Sequence, residues 1–530
     1  MNKKTGNIKK LQMMNEKMAD NISTIFLVYM FTVFPLVLDN GYLNVTETKY
    51  NLFMVAGVAY AVIMALVLTL RFTDTYYYKK KNKTNVQTDK VGFFLSDVFM
   101  LLFLLAGFMA WIMADDKSLA FTGEMGRRCG FAFIIVVSLV YFALASGYAL
   151  NKIIMPVFAV TGILTYLMTI LQYFGIDVFG LLDEISSSQR NMFVSTFGNI
   201  NVFGSFVVLT MALFSGLFIF ENKKAFKILY GILIFIGGGA VVASRSDLTY
   251  AGIFVCLVTL LFVSEYKGKT FDFLLVLFIF LLGYTMTFLP VNIIGDMADN
   301  LTGLNKTFNH PAVLGIVCSV VLLLMVLCKL INRDDKQNTN AKPDKKYDTD
   351  KERHIRCITL TATACIIAAV IAGIIIAGVL NHWDIFEFDD YWGNYRGYVW
   401  SRLLELYKDF PFANKIFGNG NETVYELMYV NYYDEMYELT GTVYDSAHNQ
   451  YLQYLVTMGI FGMLSYIGLI CASVYNCIKA SKDNIYAFPV MAAIIAFAVQ
   501  EFFNIGQPVT TPFIFLFMAL AAALRRREKV

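Results

Sequence analysis

A chain of 530 residues that is 57% apolar and 16% charged lacks the polar surface of a soluble globule of its length. Its net charge of +3 says little, because the charges are segregated by loop, and no nucleic-acid partner is expected. Apolar runs of about 17 to 25 residues match the length needed to cross ~30 Å of hydrocarbon, so the expected fold class is all-α, a polytopic transmembrane helical bundle.

In chain order, a Lys-rich start precedes a first span with no small-residue cleavage site after it, which reads as an uncleaved anchor. Fourteen candidate spans follow the hydropathy: 22–38, 51–71, 93–114, 129–150, 153–175, 201–220, 228–244, 249–264, 272–290, 312–331, 356–380, 448–475, 486–503 and 509–524. The seventh, eighth and last are short. Alternate connecting segments carry 29 Lys and Arg on one side against 11 on the other. The positive-inside rule then places both termini in the cytoplasm of a multi-pass cytoplasmic-membrane protein. Three divisions result: N-terminal transmembrane helices over 1–380, a large extracytoplasmic loop over 381–447, and C-terminal transmembrane helices over 448–530.

The long loop holds four basic residues, Arg396, Arg402, Lys408 and Lys415, against twelve acidic ones. Its three Trp and many Tyr offer flat amphipathic faces suited to sugar rings. A loop of this length in a compact protein is expected to be functional, and its aromatic content argues against disorder. Eight Cys contain no C-x-x-C pair and none lies in this loop, so neither a disulfide nor a metal is expected. A nucleotide-binding loop, a zinc-helix motif and an acidic calcium loop are all missing from the sequence, and no cofactor is expected.

Four points on the outer side stand out. Ser244-Arg245-Ser246-Asp247 is a tight turn whose Arg serves either as a headgroup anchor or as a clamp on a substrate phosphate. Arg396 and Trp400, four apart, share one face of any helix there, as a cation–π pair or as part of a site. Pro411 and Gly418-Asn419-Gly420 end that helix. His448 opens span twelve, as a polar cap or as a base whose unperturbed imidazole titrates near pH ~6.5. In Gly198-Asn199-Ile200-Asn201, re-entering span six, the amides cap the helix or bind sugar. Asp97 and Glu501, near the ends of their spans, are weaker candidates.

Ser244-Arg245-Ser246, then R-x-x-x-W at 396–400 with Pro411 and Gly418-Asn419-Gly420, then SAHNQYLQYLVTMGIFG at 446–462, together resemble the O-antigen ligase and O-antigen polymerase membrane family. The resemblance extends over about 190–510 and includes the G-N-x-N of span six; H-N-x-x-L-Q is its most specific part. That family has about twelve spans, so about 12–14 are expected here. It implies metal-independent transfer of an oligosaccharide from a polyprenyl pyrophosphate carrier to an acceptor hydroxyl on the extracytoplasmic side. The partners so implied are a polyprenyl-pyrophosphate-linked oligosaccharide, a glycan or lipid acceptor, the bilayer and polysaccharide-assembly proteins. Carried over by position, His448 is the catalytic residue, with Arg245 and Arg396 holding the pyrophosphate. Trp400, Asn449 and Asn201 complete the candidate substrate-binding set. The rival readings are a lipid-linked oligosaccharide flippase, since fourteen spans suit a transporter, and a protein O-oligosaccharyltransferase.

Overall fold

The structure is a computed structural model that describes residues 2–82, 92–146, 148–293, 303–308, 310–338, 386–482 and 484–528, with short stretches of 361–383. The protein is an all-α polytopic bundle. Ten helices among the described residues are long and apolar enough to span a membrane. Helices are what such runs must form, because hydrocarbon offers backbone groups no partner outside the segment.

The first five long helices are α1 (Asn2–Leu36), α2 (Val45–Asn82), α3 (Leu95–Met113), α6 (Ile154–Tyr173) and α7 (Ile200–Phe220). They are followed by α8 (Lys224–Ala243), α9 (Asp247–Lys267), α10 (Thr270–Ile293), α12 (Pro311–Asn338) and α16 (Gln450–Ala480). The seventh and eighth expected spans are therefore full-length helices. Two expected spans are shorter helices, α5 (Phe131–Ala145) and α17 (Ala487–Gln500), and α18 (Thr511–Glu528) closes the chain. The eleventh expected span, 356–380, lies largely outside the described residues.

α7 is apolar on every side and lies in the middle, against α8, α9 and α17. α8 and α10 cross at Gly283, where a Cβ would stand 1.7 Å from the Phe235 carbonyl oxygen. Only glycine permits that approach, and close packing replaces the hydrophobic drive that lipid removes.

At one end of the bundle, three consecutive arginines of α18 each grip a different helix. Arg525 donates to Asn476 of α16 at 2.7 Å, and Arg527 meets both carboxylate oxygens of Asp20 on α1 at 3.1 Å. Arg526 pairs with the fully buried Asp97 of α3, whose other oxygen accepts from Tyr141 at 3.2 Å. Asp97 thus belongs to a structural clasp. Removing Arg526 would strand a buried carboxylate, at a cost of about 3–5 kcal/mol.

The segment expected as a loop is largely helical: α13 (Trp392–Asp409), α14 (Phe412–Phe417) and α15 (Val424–Thr440). α13 stops at Phe410 because Pro411 forces the residue before it out of the helical region, to ψ 143. Tyr398, Val399, Leu403, Val424, Met428 and Met436 form a second apolar core that continues into Ala447 and Leu452, so the unit of α13 to α15 is seated directly on the start of α16.

Candidate active site

The H-N-x-x-L-Q motif is a helix start in which the Asn449 and Gln453 amides serve the backbone and leave the imidazole free. Asn449 caps α16, its side-chain oxygen accepting from the Tyr451 and Leu452 amides at 3.0 Å each. Gln453 accepts from the Ala447 amide at 2.9 Å, and the buried Trp400 indole donates to the Ala447 carbonyl at 2.8 Å. With both neighbours held, His448 sits in the left-handed region at φ 47. Such conformations in residues other than glycine cluster at functional sites.

The His448 ring is half-buried, packs edge-to-face on Tyr444 at 5.9 Å, and has no hydrogen-bond partner among the described residues. Burial, then the Arg127 and Arg396 guanidiniums, hold its pKa well below the usual imidazole range, with Asp445 opposing them. The shift favours the neutral imidazole, the form whose free ring nitrogen can accept a proton. Asp445 itself forms a bidentate pair with Arg127, at 2.6 and 2.9 Å. Burial alone would raise the Asp445 pKa, but Arg127 outweighs it and the net shift is downward.

Arg396 follows three consecutive left-handed residues, Gly393, Asn394 and Tyr395, at φ 59, 64 and 64. Its Nη1 donates to the Gly393 carbonyl at 3.1 Å, while its buried Nε has no partner. Tyr444, the ring against His448, also donates to the Asn394 carbonyl at 3.2 Å. Burial lowers the Arg396 pKa and Tyr444 counters this, yet a guanidinium remains charged. The structure thus brings Arg396 and His448 together around Tyr444. Trp400, one turn along the same helix, is 9% exposed and packed among Trp392, Phe388 and Phe502. Its evident work is to hold the residue preceding His448.

Gly418-Asn419-Gly420 does more than end a helix. α16 breaks at Gly459 (φ 67), and the Gly420 amide donates to the Thr457 carbonyl there at 3.1 Å. A Cβ on Gly418 would lie 2.1 Å from that same carbonyl oxygen, and one on Gly459 would lie 2.1 Å from the Ile416 carbonyl oxygen. The two backbones fit only without side chains, which locks the unit of α13 to α15 into the break.

Arg245 stands across the same end of the bundle. It is left-handed (φ 53), donates to Asn191 at 2.8 Å and lies 4.9 Å above the Tyr173 ring. Burial lowers its pKa. No contact joins it to Arg396 or His448 among the described residues. Its link is indirect: Ser246 donates to Asn201 at 2.7 Å, and Asn504 bonds the Asn201 carbonyl and Ser205 at 3.2 and 3.0 Å. The Gln450 amide in turn donates to the Glu501 carbonyl at 2.9 Å, while the Glu501 carboxylate accepts from Tyr466 at 2.6 Å. Asn201 and Glu501 therefore tie helix ends together, and Asn199 caps α7.

Three participants were missed in the sequence. Arg127 carries no motif and lies 318 positions from its partner. Asp445 is three residues before His448, a proximity that offered some signal. Glu422 is buried at φ 63, its pKa pushed up to about 7 by burial, with Arg127 lowering it and Asp445 and Glu124 raising it. Beside this cluster an apolar groove runs down the bundle between α16 and α17, lined by Tyr451, Ile470, Val474, Ile495, Ala498 and Phe502. A larger cavity at the opposite end is lined by Lys267, Lys479, Lys482 and Arg525, away from this chemistry.

Residues 231–467 match the family described as O-antigen ligase. The matched segment holds Arg245, Arg396, Trp400, His448 and Asn449, and it is narrower than the 190–510 over which the motifs carry the resemblance, leaving out Asn201. No curated protein and no solved structure matches the chain.

Proposed function

We propose that this multi-pass chain, a membrane glycan-processing enzyme whose residues 231–467 match the O-antigen ligase family, transfers an oligosaccharide from an undecaprenyl-pyrophosphate carrier to an acceptor hydroxyl on the extracytoplasmic side. The observation that carries the proposal is an imidazole with no hydrogen-bond partner among the described residues, packed on the same tyrosine whose hydroxyl bonds the turn leading into Arg396. His448 takes the acceptor hydroxyl proton as the oxygen attacks the anomeric carbon. The bond from that carbon to the pyrophosphate breaks, and its electron pair leaves on the pyrophosphate oxygen. Arg396 and Arg245 stabilise that growing negative charge, and direct displacement inverts the anomeric centre. The reaction needs no nucleotide, because the carrier is already activated, and no metal, because the guanidiniums supply the positive charge. The groove along α16 and α17 suits an isoprenoid, since its walls are apolar and end at Tyr451, close to His448.

The acceptor we favour is another glycan, which would make the enzyme a polymerase of a surface polysaccharide. The test is the purified chain in proteoliposomes with a synthetic polyprenyl-pyrophosphate oligosaccharide as the only donor. Longer glycan with free polyprenyl pyrophosphate is expected. Passage of intact donor across the bilayer without transfer would instead identify a flippase. The orientation is checked in intact cells by single-cysteine labelling: Thr442→Cys should react from outside and Asn338→Cys only after permeabilisation. The reverse pattern would put the site on the wrong side for this donor.

A further inference from the structure

The exposed side of α15 carries a file of aromatic rings that the transfer chemistry does not use. Tyr425, Tyr429, Tyr433 and Tyr437 are spaced four apart, and their successive ring centroids are 5.8, 5.0 and 5.8 Å apart. The last three are 48%, 40% and 54% exposed. The buried file lies one residue back, where Val424, Met428 and Met436 join the core beneath Ala447. Three large rings left about half in water along one stripe, continued by the half-buried Tyr425, cost hydrophobic free energy, so the stripe calls for an occupant.

The charge around the stripe selects among occupants. The neighbouring file, one residue on, is Glu426, Val430, Asp434 and Glu438, and α15 contains no Lys or Arg at all. A helix lying in a headgroup layer places Lys and Arg on its polar side, to meet lipid phosphates. This one offers carboxylates instead, which repel phosphate and accept hydrogen bonds from hydroxyl groups. Flat rings beside hydroxyl-accepting carboxylates complement a pyranose, whose axial C–H faces stack on aromatics while its equatorial hydroxyls point sideways. A four-residue step along a helix rises ~6 Å, comparable with one sugar unit in an extended chain. The carboxylates also disfavour a uronate-rich polymer.

The stripe is continuous with the candidate active site. α15 begins at the turn holding Glu422 and ends eight residues before His448, and its Met436 sulfur accepts from the Tyr444 amide at 3.3 Å. We infer that Tyr425, Tyr429, Tyr433 and Tyr437 form a stacking platform for a neutral acceptor glycan of several sugar units, whose end is delivered to His448. The inference rests on the proposed transferase reading for the identity of that glycan, while the binding itself needs neither donor nor turnover.

The experiment uses the full chain in nanodiscs without donor, titrated with short and long fragments of neutral polysaccharide released from the producing cells. A polyuronate of equal length serves as the charge control. Tyr429→Ala with Tyr433→Ala should weaken binding of the long fragment about 10-fold or more, leave short-fragment binding little changed, and preserve the melting temperature. Tyr429→Phe with Tyr433→Phe, which keeps the rings, should bind as the parent does. A nitroxide on Tyr433→Cys should be accessible to a water-soluble relaxant and not to dissolved oxygen in lipid. Equal affinity of the Ala variant and the parent, no binding by the parent, or a lipid-embedded nitroxide would each overturn the platform. Loss of glycan binding in the Ala variant of a chain that transfers nothing would keep the platform and remove the transferase reading. Normal transfer with unchanged binding would do the opposite.

Discussion

His448→Gln in the reconstituted enzyme should lower turnover by about 10²-fold or more, with donor affinity retained, because the variant loses the proton acceptor and keeps the rest of the site. The substitution is unusually clean here. Asn449 and Gln453 perform the capping, so the imidazole is not needed to start α16. The one structural burden is the left-handed backbone, φ 47, which His and Asn adopt more readily than Gln. His448→Asn therefore accompanies it: the same loss in both variants shows that the ring, and not the conformation, is at issue. Turnover near that of the parent in both would remove His448 from the chemistry.

The pH profile follows from the same geometry. A base must be unprotonated, so activity rises with pH through its pKa. Because burial, Arg127 and Arg396 depress that pKa in the free enzyme, the His448 limb of kcat/KM should lie well below the ordinary ~6.5. Bound pyrophosphate offsets the guanidinium of Arg396, so the kcat limb should lie at higher pH than the kcat/KM limb. A separate inflection near 7 would belong to Glu422, whose buried carboxyl ionises there, and Glu422→Gln should abolish it without moving the His448 limb. Coincident limbs for kcat and kcat/KM would argue against an arginine-bound anion beside His448.

Arg396→Lys and Arg245→Lys should each cost about 10²-fold in kcat, on the order of 3 kcal/mol of transition-state stabilisation, with membrane insertion intact. Lysine preserves the charge and loses the fork. Arg396 already spends one amino group on the Gly393 carbonyl and leaves Nε unpartnered, so a single ammonium could hold the turn or the phosphate, not both. Arg245 is aimed by Asn191 and by the Tyr173 ring. Asn191→Ala should consequently reproduce part of the Arg245→Lys loss. If both arginines grip one pyrophosphate, the double variant should lose less than the product of the single effects, since each single loss already disrupts the shared anion. Wild-type kinetics in both Lys variants would reduce them to headgroup anchors.

Several features were legible in sequence because their physics is local. Hydrocarbon thickness sets a run length, so the membrane class and the approximate positions of thirteen of the fourteen expected spans are written in hydropathy and match described helices. The Asn amides ahead of span six and an Arg four residues before a Trp likewise predict a cap and a shared helix face: Asn199 caps α7, and Arg396 and Trp400 both lie on α13. Tertiary structure alone decided the rest. The 381–447 segment reads as polar because its apolar residues are scattered, yet Tyr398, Val424, Met428 and Met436 come together only when α13 and α15 pack on Ala447. Arg127 acquires its meaning from Asp445, 318 positions away, and Gly418 from a break at Gly459 that a helix-long apolar pattern conceals. Such pairings leave no periodic trace, since the energy that selects them, a buried ion pair or a backbone contact without side chains, depends on distance in space rather than on spacing along the chain.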